Sequence, residues 1–163
     1  MSKIYIGIDN GVTGTVGIVG DDVFPEIHHT PVKKEQNYTK KKDNITRVDA
    51  KAFASILNRF HPADVMVVME RPMVNPTRFK ATTSALRCFE AELTLIEHFG
   101  CSYCYVDSKD WQKMLLPKGI KGADEQKKAS KDIGKRLFPA LSDFKHPDFD
   151  GLLIAEYARR KNL

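Results

Sequence analysis

Three acidic residues stand where apolar segments end or begin. Asp9 follows Lys-Ile-Tyr-Ile-Gly-Ile, Glu70 follows Val-Met-Val-Val-Met, and Asp150 opens a segment patterned as the last helix. Parallel strands place their carboxyl ends on one rim of a sheet, so the three can meet there. Gathered carboxylates repel one another unless cations neutralise them, and an oxygen-only ligand set suits Mg²⁺ best. In phosphodiester hydrolysis two such ions, roughly 4 Å apart, would activate a water and stabilise the leaving oxygen. Singly, each acid has a plainer reading: Asp9 before a glycine-rich turn, Glu70 paired with Arg71, Asp150 as a charge at a helix start. Their joint placement points to chemistry.

The basic residues gather in two stretches, and these suggest a partner for such a site. One holds Lys33, Lys34, Lys40, Lys41, Lys42 and Arg47 with Tyr38 among them; the other holds Lys118, Lys121, Lys127, Lys128, Lys131, Lys135 and Arg136. Two such runs in a chain of net charge +5 favour a phosphate-backbone ligand, because each neutralised phosphate releases counterions. Nucleic acid is the expected partner.

The 163 residues, 42% of them hydrophobic, suffice for one core and one domain spanning 1–163. The longest apolar runs fall far short of the ~20 residues of a membrane span. The amino terminus lacks the pattern of a signal peptide, so a cytoplasmic protein with reduced thiols is expected. Of the three cysteines, Cys101 and Cys104 form a C-x-x-C with His98 three residues before. That spacing could hold zinc, but no fourth ligand is near and the stretch alternates like a strand.

The elements that would position the acids follow from apolar patterning. Residues 3–8 read as a buried strand, Thr15 to Val19 as its hairpin partner and Val23 to His28 as a weaker third strand, feeding a basic loop. Asp49 is a plausible N-cap for a helix from about Ala50 to Phe60. Val65 to Met69 reads as a central strand covered on both faces. A long helix follows from Lys80 to Phe99, then a strand from Tyr103 to Val106. Asp107 to Leu116 begins like a capped helix, broken by a charged loop around Gly119 and Gly122. A helix from about Asp124 to Phe138 stops before Pro139, and the last helix is expected to start near Pro147. Trp111 reads as a core residue whose indole N–H finds a partner.

Three segments together, Ile6-Gly-Ile-Asp-Asn-Gly-Val-Thr-Gly-Thr-Val-Gly-Ile-Val19, Val67-Val-Met-Glu-Arg-Pro72 and Asp150-Gly-Leu-Leu-Ile-Ala155, resemble the acidic motifs of RuvC-like Holliday junction resolvases. The first motif is shared with actin-like and sugar-kinase ATPases, but those need two copies of their fold, which do not fit this length. The resemblance implies an α/β, RNase H-like fold with a five-stranded mixed sheet flanked by helices. It also implies a homodimer that cuts opposed strands of a four-way DNA junction with two Mg²⁺ or Mn²⁺ ions held by Asp9, Glu70 and Asp150. The family's fourth ligand lies three residues before the last aspartate, where this chain has Pro147. Asp148 or His146 would replace it, and Asp148 has the better chemistry for Mg²⁺. Lys127, with Lys128 as its rival, matches the family's lysine near the scissile phosphate; a second catalytic-region lysine would be Lys109 or Lys113. Met73 stands where many relatives carry an aromatic wedge, and Phe79 would substitute for it. Trp111 and Phe138-Pro139 resemble a bacteriophage branch, whose members are often less sequence-selective. The side of the long helix bearing Ala81, Ser84, Ala85 and Cys88 is a candidate dimer seam.

Three activities are consistent with this reading: a metal-dependent nuclease for Holliday junctions and other branched DNA such as forks and flaps, a nuclease of the same fold acting on RNA, and a branched-DNA binding module with weakened catalysis.

Overall fold

The computed structural model describes residues 3–163. The reading of the amino terminus as leaderless also rests on Met1 and Ser2, which lie outside the described residues. Five strands form one sheet in the order β3-β2-β1-β6-β7, where β1 is Ile4–Ile8, β2 Thr15–Gly20, β3 Glu26–His29, β6 Val65–Glu70 and β7 Ser102–Val106. β1, β2 and β3 pair antiparallel, while β1, β6 and β7 run parallel, so the sheet is mixed. Alternation along each strand divides the core into two layers. Ile4, Ile6, Ile8, Val67 and Met69 face α1 (Ala50–Leu57) and α2 (Phe79–His98). Tyr5, Val19 and Val68 face α3 (Ser108–Leu115), α4 (Ala123–Leu137) and α5 (Asp150–Lys161). The central strands are therefore apolar on both sides, as β1 and β6 are along nearly their whole length.

Local chemistry sets several boundaries. Asp49 caps α1, its side chain accepting from the Ala52 amide at 3.1 Å. α2 ends one residue before Phe99, and Gly100 follows with φ of 72°, a left-handed conformation that favours glycine.

Three expectations are corrected. The third strand begins at Glu26 rather than Val23: Pro25 has no amide to donate to the ladder, and Phe24 points out, 91% exposed. The segment read as a basic loop is largely a separate two-stranded ribbon, β4 (Val32–Gln36) paired antiparallel with β5 (Asn44–Val48). The last helix starts at Asp150, not near Pro147. Residues 146–149 are held out of the helix because their backbone is bonded elsewhere: the Phe149 amide donates to Ser130 Oγ at 3.0 Å and the Asp148 amide to His146 Nδ1 at 3.2 Å.

Helix α5 lies unusually close to the sheet, and this decides where Asp150 sits. A Cβ on Gly7 would collide with the Gly151 carbonyl oxygen and the Ala155 amide, and one on Gly151 would collide with the Thr15 backbone. With both residues glycine, the first turn of α5 settles directly on β1 and β2, and the Gly151 amide donates to the buried Thr15 hydroxyl at 2.9 Å.

Candidate active site

Asp9 and Glu70 leave the carboxyl ends of adjacent parallel strands, whose register pairs Ile8 with Met69. Neighbouring strands lie about 4.8 Å apart, so the two acids emerge side by side. The first turn of α5 brings Asp150 to the same rim, and the bent segment before it brings Asp148. Ligand oxygens of Asp9, Asp148 and Asp150 lie within 4.8 Å of one another, the one such group of three acidic, histidine or cysteine side chains among the described residues. His98, Cys101 and Cys104 form no such group, and all three cysteines are free.

Glu70 stands at the side of this trio. Its Oε2 accepts from the indole N–H of Trp111 at 2.7 Å, and Trp111 is fully buried on α3. The expectation that the Trp111 N–H finds a partner is met, and the partner is one of the motif acids.

The electrostatics are those of crowded anions in a poorly hydrated place. Burial, then the charges of Asp150, Glu70 and Asp148, hold the Asp9 carboxyl well above the usual aspartate range. Asp150 is pushed up to about 7, first by burial and then by Asp148, against the opposing pull of the Ser130 hydroxyl and of Lys127. Glu70 is raised by burial, with the Trp111 hydrogen bond working the other way. Each shift records the cost of ionising without a counterion. A divalent cation removes that cost, and four carboxylates with no soft ligand among them fit a hard, oxygen-seeking ion.

His146, the other replacement considered for the fourth ligand, has both ring nitrogens engaged. Nε2 lies 2.9 Å from the Thr13 carbonyl, and Nδ1 lies 3.3 Å from the Asp148 carboxylate and 2.9 Å from the Asp148 carbonyl. It braces Asp148 against the Asp9 turn.

Three residues that the motifs did not single out also build the site. The Ser130 hydroxyl donates to Asp150 Oδ1 and accepts from the Phe149 amide, tying α4 to the start of α5. The Thr15 hydroxyl anchors the Gly151 amide. Glu92 is fully buried on α2, accepts from Cys88 Sγ at 3.5 Å, and has a second oxygen without a partner. Burial pushes its carboxyl up to about 8, and its charge is felt at Asp9. Ser130 and Glu92 had a signal in the sequence: each falls on the apolar face of its helix, Ser130 with Ile133 and Gly134, Glu92 with Cys88, Phe89 and Ile96.

An open cleft of about 730 Å³ runs from Glu70 and Asn10 along the start of α2, bounded by Arg71, Met73, Arg78 and Lys109. Met73 lines it, and Phe79 opens α2 beyond it; both are largely exposed. Lys127 projects from α4 near enough to Asp150 to affect it, whereas Lys128 is exposed and Lys131 partly covered on the same helix. Lys121 lies in the loop before α4, its amide donating to Glu125 at 3.1 Å. Lys33, Lys34 and Arg47 belong to the β4–β5 ribbon, and Lys40, Lys41 and Lys42 to its turn.

No protein-family model matches the sequence, and no curated protein matches it. The architecture does have counterparts: the mixed sheet with its flanking helices is the RNase H-like fold in its RuvC form. T. thermophilus RuvC in complex with a Holliday junction substrate aligns over 98% of this chain and 94% of its own, with TM-score 0.58 at 14% identity. A second Thermus thermophilus RuvC structure aligns over 98% and 96%, with TM-score 0.55 at 18% identity. Among the described residues, no helix is long and apolar enough to cross a membrane.

Proposed function

We propose that the protein is a metal-dependent, structure-selective endonuclease that acts as a homodimer on Holliday junctions and other branched DNA. The observation that carries this reading is the carboxylate group at the rim. Asp9, Asp148 and Asp150 converge, with Glu70 beside them and the pKa values of Asp9, Asp150 and Glu70 raised by burial and neighbouring negative charge, on a fold shared with a junction-bound RuvC.

Asp9, Glu70, Asp148 and Asp150 would hold two Mg²⁺ or Mn²⁺ ions. Bound there, the ions supply an activated water and charge neutralisation at the leaving oxygen of the scissile phosphodiester. The protein's own groups do the positioning. Trp111 fixes one Glu70 oxygen and leaves the other for the site; Ser130 orients Asp150; His146 braces Asp148. Lys127, on the helix that carries Ser130, would approach the scissile phosphate and stabilise charge developing on it. The cleft beside Glu70 would take a strand, with Arg71, Arg78 and Lys109 available to phosphates and Met73, with the exposed Phe79 beyond it, to unstacked bases.

The ground for a binding-only module was a missing fourth ligand. Asp148 supplies a carboxylate in its place, and this favours the enzyme.

The test is cleavage of an end-labelled four-way junction in Mg²⁺, beside a fork, a linear duplex and a structured RNA. Paired symmetric nicks that vanish in EDTA and in Asp150→Asn are expected. A junction that is shifted in a gel yet stays uncut in Mg²⁺ and Mn²⁺ would sink the nuclease reading, and faster cutting of RNA would replace its substrate.

A further inference from the structure

The β4–β5 ribbon is an element the catalytic chemistry does not use. It is anchored at the rim that carries the acids. The Thr30 amide donates to the Gly14 carbonyl at 3.0 Å, in the turn that follows Asp9, and the Asp49 amide closes the ribbon's base on the Pro31 carbonyl at 2.9 Å. Val48, at the end of β5, is buried in the core beside α2; beyond it the ribbon is mostly exposed, with no core of its own. β5 is steadied by its contacts with α2, but residues 38–44 at the turn are exposed, so packing does not explain their sequence.

Charge distinguishes it. Residues 32–48 carry six basic side chains against Glu35 and Asp43, a net of +4 in a chain whose total is +5. Lys33 and Arg47, opposite each other across the ladder, both pair with Glu35. Lys40, Lys41 and Lys42, in the turn with the exposed Tyr38, make no ion pair among the described residues. Lysines on an edge strand also serve to deter edge-to-edge pairing, which accounts for Lys33 and Lys34. It does not account for Lys40–Lys42, which lie past the last paired residues, Gln36 and Asn44. At about 3.4 Å per residue, five paired residues and a turn reach roughly 17–20 Å from the rim, or about five to six base pairs of duplex. A two-stranded ribbon also fits the width of a DNA groove.

We propose that the ribbon is an arm that grips a duplex about half a helical turn from the point of cleavage, with Lys40, Lys41 and Lys42 against its phosphates. The inference rests on the branched-DNA reading above and adds a contact that depends on the length of the duplex arms. The effect is on affinity, through counterion release, and the arm touches no reacting atom.

The experiment measures junction binding in Ca²⁺ or EDTA as a function of salt, using junctions with arms of about 20 and about 4 base pairs. Each phosphate contact contributes about 0.9 to the log–log slope, so Lys40→Ala, Lys41→Ala and Lys42→Ala together should lower the slope on long arms by about 2 to 3. On short arms the slope should not change. The triple Lys→Arg variant should keep the wild-type slope on both, which separates lost charge from a disordered turn. Equal slopes for wild type and the alanine variant on long arms would show the lysines to be merely solvated, and equal loss on both lengths would place them at the crossover; either result overturns the arm. Wild-type protein that binds no junction at all would overturn the branched-DNA reading itself, a different outcome from normal binding with an unchanged slope.

Discussion

The acidic rim and the basic ribbon leave the same side of the sheet yet are built in opposite ways. At the rim, Asp148 is buried, Asp9 and Asp150 are mostly covered, and all are cross-braced by Ser130, Thr15, His146 and glycine contacts that admit no Cβ. In the ribbon the charged groups point outward, and the three lysines of its turn have no partner among the described residues. The difference follows from what each must do. Groups that act on a reacting atom need fixed geometry and a poorly hydrated setting, in which their charges count for more. Groups that grip a polyanion gain affinity from released counterions and need only be present and exposed.

If that contrast is right, small changes at the rim should cost far more than large ones in the ribbon. The greatest effect is expected from Gly7→Val, which forces α5 off β1; overpacking a site walled by backbone should cost about 3 kcal/mol of stability and abolish cleavage. A urea melt that matches wild type would show that the close seat of α5 is not needed. Trp111→Phe keeps the ring in the core and removes only the donor to Glu70. Cleavage should fall roughly 10-fold or more, as for other groups that orient a metal ligand, with junction affinity in EDTA unchanged. Equal activity in the two proteins would mean that Glu70 is not held by the indole.

The smallest expected effect is on stability against pH. The Glu92 carboxyl sits at about 8 and that of Asp150 at about 7, each above its value in an unfolded chain, and Asp9 and Glu70 are shifted the same way. The folded protein therefore retains protons that the unfolded chain releases above roughly pH 4, so in EDTA its stability should fall as pH rises from about 4 through 8. Glu92→Gln should make the fall shallower, most of all near pH 8. Parallel curves for the two proteins would show that Glu92 does not titrate in that window.

Much of this was legible in the residues. The apolar runs of β1 and β6, the Asp49 cap and the acids at strand ends follow from period and polarity, and they let Asp9 and Glu70 meet at one rim; that β1 and β6 are neighbours in the sheet came from the structure. The start of α5 was misread because Pro147 suits a first helical turn, whereas the Phe149 amide is claimed by Ser130 from a distant segment and the Asp148 amide by the neighbouring His146 ring. The ribbon was read as a loop because a lysine-rich stretch in which only Val48 is fully buried gives little strand signal.

What the sequence determined by itself is the set of elements and the chemical character of each, since helix and strand periods and charge runs are local properties of the chain. Only the tertiary structure decided which acids share one group, that Trp111 holds Glu70, and that Glu92 is buried near enough to act on Asp9, with an oxygen unpaired among the described residues. Those facts depend on how closely α5, α3 and α2 approach the sheet, and that distance is set by side chains far apart in the chain packing against one another.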